Sequence, residues 1–299
     1  MTERTRPTPP SSPEVRPVAL DAGGVTLSGL VAEPAAGPPR ATLVALHGGG
    51  MRADYFDGRA HPDLSLLTLA AGLGHTVLAL DRPGYGLSAP ALPQGLPLAE
   101  QATTVQAALK TFAAGRSLGA GVLLVGHSYG GKLALTAAAA WEDDDLIGLD
   151  VSGCGHRYAA DPGAPSGDRG HGSRKQNWGS LRFYPGATFN PGGFGTGDRP
   201  PAEVHEARPW PGMFPATAAR VRVPVRVTFA EEEHWWRHDE ESVASLVAAF
   251  TSTGVRVDRQ PDAGHNISLG WAARSYHLRV LAFAEECLLR RGHRPAAGD

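Results

Sequence analysis

The sequence predicts an α/β protein: one mostly parallel sheet of eight strands, helices on both faces, and a cap or lid inserted late in the chain. Three observations carry this. Short apolar runs alternate with helix-period stretches through most of the 299 residues. Several runs are apolar at nearly every position, as a strand buried on both faces requires. The alternation stops between about 155 and 219, where Gly, Pro, Arg and aromatics dominate, and then resumes.

The elements follow in order. Residues 18–32 read as two strands around the turn Ala22-Gly-Gly24. Residues 41–46 form a short buried strand ending at His47-Gly-Gly-Gly50, and 64–73 carry leucines at helical spacing. Strand 75–80 ends at Asp81-Arg-Pro-Gly-Tyr-Gly86, and helix 98–112 follows. Strand 121–125, helix 130–141 and strand 146–151 complete the first stretch. After the irregular segment come strand 223–229, helix 240–251, strand 255–258 and a closing helix over 271–290. A structureless stretch as long as 155–219 is unusual inside a compact domain unless it is a lid or small cap. The expected organisation is a disordered leader (1–17), a core (18–154 and 220–292), a cap (155–219) and a flexible tail (293–299).

Composition narrows the function. The formal net charge is −2, so no field is built for nucleic acid or an anionic membrane surface. No stretch is long and apolar enough to span a bilayer. The proline-rich start lacks the apolar core of a signal peptide, which predicts a cytoplasmic protein. The two cysteines, Cys154 and Cys287, make no disulfide framework or metal spacing and are expected to be buried free thiols.

Gly126-His-Ser-Tyr-Gly130 joins a strand to a helix and fits G-x-S-x-G. In that setting Ser128 reads as a nucleophile held in sparsely allowed backbone angles at a helix N-terminus. A plain Gly-Ser turn would look the same in isolation. A serine needs a base to take its proton, and the base needs an acidic partner. Among 12 histidines, His265 is the candidate base, because Asp262-Ala-Gly-His-Asn266 lies between the last strand and the closing helix. The acid is sought in Ala230-Glu-Glu-Glu-His234, after strand 223–229. Glu233 is preferred, with Glu231 and Glu232 as alternatives. In chain order the three run Ser128, Glu233, His265. The turn His47-Gly-Gly-Gly50 is placed to aim an amide over Ser128: Gly49 first, Gly50 next, with the amide of Tyr129 as the second oxyanion donor. Each such donor is worth roughly 3 kcal/mol in the transition state.

Taken together, His47-Gly-Gly-Gly50, Asp81-Arg-Pro-Gly-Tyr-Gly-Leu-Ser88, Gly126-His-Ser-Tyr-Gly-Gly131 and Gly264-His265 resemble the α/β-hydrolase superfamily, in its order, over residues 18–291 apart from the cap. The resemblance implies the α/β-hydrolase fold, attack by Ser128, proton transfer by His265, and an acid after the seventh strand that orients the histidine. Glu233 aligns with that acid, where many members carry Asp. Asp81 and Arg82 are implied to be a structural turn without a catalytic role. A serine at the elbow argues against the dehalogenase and epoxide-hydrolase branches, which carry aspartate there.

The aromatics of the irregular segment either pack it onto the main domain or line a pocket. Gly50, Trp178, Trp210, Trp235 and Trp236 are the expected pocket residues. His234 and His238 stand at helical spacing without the acid of a zinc-protease helix, so no metal is expected, and no cofactor. The function expected is a serine hydrolase of an ester, thioester or lactone of a small to mid-sized molecule, working through an acyl-enzyme. Elimination, cyclisation or acyl transfer in secondary metabolism is the alternative for the same constellation, and non-catalytic binding of a small molecule the second alternative.

Overall fold

The structure, a computed structural model, describes residues 13–161 and 171–292. Its centre is an eight-stranded sheet. In chain order the strands are β1 (Arg16–Asp21), β2 (Thr26–Ala32), β3 (Thr42–Leu46), β4 (Thr76–Leu80), β5 (Val122–His127), β6 (Leu146–Ser152), β7 (Val225–Glu232) and β8 (Val255–Gly264). Across the sheet they lie β1-β2-β4-β3-β5-β6-β7-β8. β1 and β2 pair antiparallel, as do β2 and β4, and every other neighbour is parallel.

The central strands explain themselves by alternation. Every residue of β3 and β4 is buried. Val44, Leu46, Leu78 and Leu80 face one core, while Leu43, Ala45, Val77 and Ala79 face the other. Successive side chains on a strand point to opposite faces, so a strand covered on both sides is apolar throughout. The first core is closed by α2 (Leu98–Ala113), α3 (Tyr129–Ala139), α6 (Trp210–Ala218) and α7 (Glu240–Ala248). The second is closed by α1 (Leu66–Gly72) and α8 (Ala273–Gly292). Cys154 and Cys287 are buried free thiols in opposite cores, so the sheet keeps them apart.

Three differences from the sequence reading have physical causes. Among its described residues the irregular segment contains three α-helices: α4 (His171–Trp178), α5 (Pro201–Ala207) and α6. They are short, two open on proline in the first turn, and α6 has Pro215 inside, so no apolar period develops. Strand β8 runs to Gly264 rather than ending at 258, through Pro261, which an edge strand tolerates. Strand β1 starts at Arg16, inside the stretch read as leader, and its Pro17 is likewise at a sheet edge. Otherwise the expected leader, residues 1–12, and the expected tail, 293–299, lie outside the described residues. Among the described residues no helix is long and apolar enough to cross a membrane.

Candidate active site

Everything converges at the carboxyl ends of β3, β5, β7 and β8. Ser128 leaves β5 and caps α3 with φ 54° and ψ −115°. A non-glycine residue at positive φ is held there only by its surroundings. The surroundings are backbone. A Cβ on Gly126 would come within 2.5 Å of the Gly130 carbonyl, and one on Gly130 would collide with the carbonyls of Leu46 and His47. The two glycines of the motif are therefore closest-approach positions, where helix α3 rests against the ends of β3 and β5.

The acid and the histidine are brought together by strand register. β7 pairs with β8 so that Glu232 faces Gly264. The next residues, Glu233 and His265, leave the sheet side by side. His265 Nδ1 lies 2.8 Å from Glu233 Oε2 and 3.1 Å from Oε1. His265 Nε2 lies 3.0 Å from Ser128 Oγ. The Trp235 amide donates to Glu233 Oε1 at 2.9 Å, so the carboxylate is held on both sides. With Nδ1–H donating to the carboxylate, Nε2 is left to accept the serine proton. The neighbouring glutamates are engaged elsewhere. Glu231 is exposed and accepts from the Asp262 amide, and Glu232 accepts from the Ser180 amide. Glu233 is only 5% exposed and His265 only 3%.

The turn after β3 is held from beneath. The Arg82 guanidinium donates to the carbonyls of His47 at 2.7 Å and Gly48 at 3.2 Å. The Arg82 amide donates to His47 Nε2 at 3.1 Å, and His47 Nδ1 donates to the Gly48 carbonyl at 2.8 Å. Burial, with help from the Arg82 charge, pushes the His47 pKa down to about 3, so this ring is neutral. Arg82 in turn pairs with Glu203 of α5, whose other oxygen accepts from Tyr85 Oη at 2.9 Å. Tyr85 Oη accepts from the Gly50 amide at 3.0 Å. The Gly50 amide is thereby spent on Tyr85. Among the described residues the amides of Gly49 and Tyr129 donate to no protein acceptor, and both residues line the cavity above Ser128.

That cavity has a volume of about 90 Å³. Of the residues named from the sequence as pocket candidates, Trp235 and Trp236 line it, and Gly50, Trp178 and Trp210 do not. Trp178 is taken up by edge contacts with Tyr184 and Phe189, 5.1 and 4.9 Å away. Trp210 is fully buried and donates to the Gly155 carbonyl at 2.8 Å. The rest of the lining is Lys132, Tyr158, Asn177, Arg199 and Ala207, which the sequence reading missed. One signal was present: Lys132 interrupts the apolar start of the helix that follows the serine. His238 stacks on Phe229, and no group of His, Cys, Asp and Glu that would hold a metal occurs among the described residues.

Residues 43–281 match the model of the alpha/beta hydrolase family, and the chain belongs to that family. No curated protein matches the sequence. Among solved structures, a soluble variant of monoglyceride lipase from Saccharomyces cerevisiae, in complex with a substrate analog, is similar with a TM-score of 0.66 at 13% identity, over 93% of this chain and 96% of that one. A thermostable carboxyl esterase from Bacillus coagulans gives 0.64 at 15%, over 92% and 99%. A peroxisomal alpha-beta-hydrolase of Saccharomyces cerevisiae gives 0.63 at 15%, over 96% and 91%. At these identities the likeness is one of fold.

Proposed function

We propose that the protein is a serine hydrolase that cleaves an ester, thioester or lactone of a small molecule through an acyl-enzyme. The observation that carries this is the continuous chain Glu233, His265, Ser128, with contacts of 2.8 and 3.0 Å. Ser128 Oγ attacks the carbonyl carbon while His265 Nε2 takes its proton. The oxyanion is received by the amides of Gly49 and Tyr129, the latter at the N-terminus of α3, where donors and helix dipole favour negative charge. His265 returns the proton to the departing oxygen or sulfur. It then deprotonates a water, which attacks the acyl carbon and frees Ser128. Glu233 keeps the imidazole in the required tautomer and stabilises its cation.

In this reading residues 18–154 and 220–292 are the catalytic core and residues 155–219 a cap. Asn177 and Arg199, from that segment, line the cavity over Ser128. Glu203 of the same segment locks the oxyanion turn through Arg82. An organophosphonate probe followed by intact mass tests the nucleophile: one adduct on the wild type and none on Ser128→Ala is expected. An unlabelled wild type, or equal labelling of both, refutes it. Elimination, cyclisation or acyl transfer would use the same residues, and turnover in ¹⁸O-water separates them, since hydrolysis alone puts the label into the released acid.

A further inference from the structure

Among the described residues Lys132 is a buried cation that makes no ion pair. It sits one helical turn after Ser128 on α3, is 3% exposed, and lines the same cavity. Its ammonium has three N–H donors. One goes to Tyr158 Oη at 2.6 Å. The Tyr158 hydroxyl proton is already given to the Ala207 carbonyl at 2.7 Å, so the phenol oxygen accepts from the lysine. Among the described residues the other two N–H groups have no acceptor. Four rings surround the nitrogen: Tyr129 and Tyr158 with centroids at 5.3 Å, Trp236 at 5.5 Å and Trp210 at 5.7 Å. Ring faces compensate a cation in part, but they do not replace a counter-charge.

The nearby acids are not in contact with the ammonium. Glu203 serves Arg82 and Tyr85. Glu206 uses one oxygen, Oε2, to accept from the Leu98 amide at 2.7 Å and from Tyr129 Oη at 3.1 Å, and acts on Lys132 only through its charge. The Cys154 thiol, also near, is pushed up to about 12 by burial and carries no charge. Arg199 adds a second cation at the cavity, exposed and without an ion pair among the described residues. Among the described residues the cavity beside Ser128 is thus lined by two positive groups and by no carboxylate. Desolvation presses on the lysine too, and its pKa is lowered to about 8, so at neutral pH it is still mostly charged.

We propose that Lys132 is the anion subsite of the enzyme, and that the substrate is an ester or thioester bearing a carboxylate a few bonds from its scissile carbonyl. The carboxylate takes the two free N–H donors inside the cage, and the Arg199 guanidinium attracts it at the mouth. Four residues at 1.5 Å rise put the lysine about 6 Å along the helix from the serine, the reach of a short dicarboxylic monoester. The inference rests on Ser128 being the reacting group.

The experiment compares charged and neutral ligands of matched shape on an inactive nucleophile. Monomethyl succinate, glutarate and adipate, with their dimethyl counterparts, are titrated calorimetrically into Ser128→Ala at pH 7. At least one monomethyl acid is expected to bind tenfold or more tightly than its dimethyl ester. That preference is expected to vanish when Lys132→Met is added, and to weaken with Arg199→Gln. Phosphonate labelling of Lys132→Met with Ser128 intact controls for folding of the site. The subsite is overturned if every pair binds alike, if none binds, or if the preference persists in Lys132→Met. Labelling of wild-type Ser128 is read separately. A labelled serine without carboxylate preference sinks the subsite alone, and an unlabelled serine with the preference intact sinks the nucleophile alone.

Discussion

Two of the buried cations, Arg226 and Lys132, are treated in opposite ways. Arg226, on β7, lies between Asp150 of β6 at 2.6 Å and Asp258 of β8 at 2.8 Å. Tyr276 of α8 donates to the second oxygen of Asp150 at 3.2 Å. Asp258 also pairs with Arg256 at 3.0 Å, so the two arginines and two aspartates balance. Lys132 has a phenol and aromatic faces in place of a carboxylate, and it opens into the cavity over Ser128. Burying a charge is costly unless it is paired. The first arrangement meets that requirement within the protein, as a structural node that ties three strands to a helix. The second leaves the requirement to a molecule that enters. Where a buried charge finds its partner separates scaffold from site in this molecule.

The sharpest way to separate the two regions is to remove one atom group from each. Ser128→Ala is expected to lower ester turnover by ~10⁴-fold or more while leaving the urea midpoint unchanged, because it deletes the attacking atom and almost no packing. A variant that retains turnover defeats the mechanism. Asp150→Ala is expected to do the reverse. It leaves Arg226 with a single partner at a fully buried position, for a loss of about 3–5 kcal/mol in urea unfolding. The specific activity of the folded fraction should stay within twofold of wild type. A large drop in that activity would mean that the node and the site are coupled.

Histidines give a pH test of the same contrast. Burial holds the pKa of His47 and of His277 down to about 3 in the folded protein, against 6.5 ordinarily. The folded state therefore binds fewer protons than the unfolded chain between those values. The stability they contribute is complete above pH 6.5 and is lost as pH falls toward 3, by up to ~4 kcal/mol for each ring. Urea midpoints measured from pH 7 to pH 4 should fall, and His277→Leu should flatten part of the slope. A profile that rises on acidification contradicts the assignment.

The smallest effect is the most telling for the comparison. Lys132→Met is expected to raise stability at pH 7 by ~1–3 kcal/mol, because an apolar chain of similar length relieves the unpaired charge. The sign follows from the direction of the shift. With a folded pKa of about 8 against 10.5, the penalty is present below pH 8 and disappears as pH rises toward 10.5. Thermal melts of both proteins at pH 7 and pH 10 should converge at the higher value. A less stable Lys132→Met protein at pH 7 would place Lys132 in the same structural category as Arg226.

The parts of the fold legible in the sequence were those written in local pattern. Unbroken apolar runs marked β3, β4 and β5 because each is covered on both faces. Gly126 and Gly130 announced the elbow because only glycine admits backbone carbonyls so close. Helices α4 to α6 were illegible as helices, since short elements opened or broken by proline carry no period. Glu233 could be preferred over Glu231 and Glu232 but not separated from them. The separation is made by the register of β7 on β8, which sends one glutamate outward and sets the next but one beside His265. Trp178 and Trp210 were candidates for the pocket by type alone, and packing drew both away from it.

What the sequence by itself determined is therefore the sheet, the elbow and the order serine, acid, histidine, because each is encoded by neighbours in the chain. What only the tertiary structure decided is which glutamate faces the imidazole, how Arg82 and Glu203 hold the turn after β3, and that Lys132 makes no ion pair among the described residues. Those facts depend on groups 32 to 121 positions apart in the chain, Glu233 with His265 and Arg82 with Glu203, and no local pattern records such a meeting.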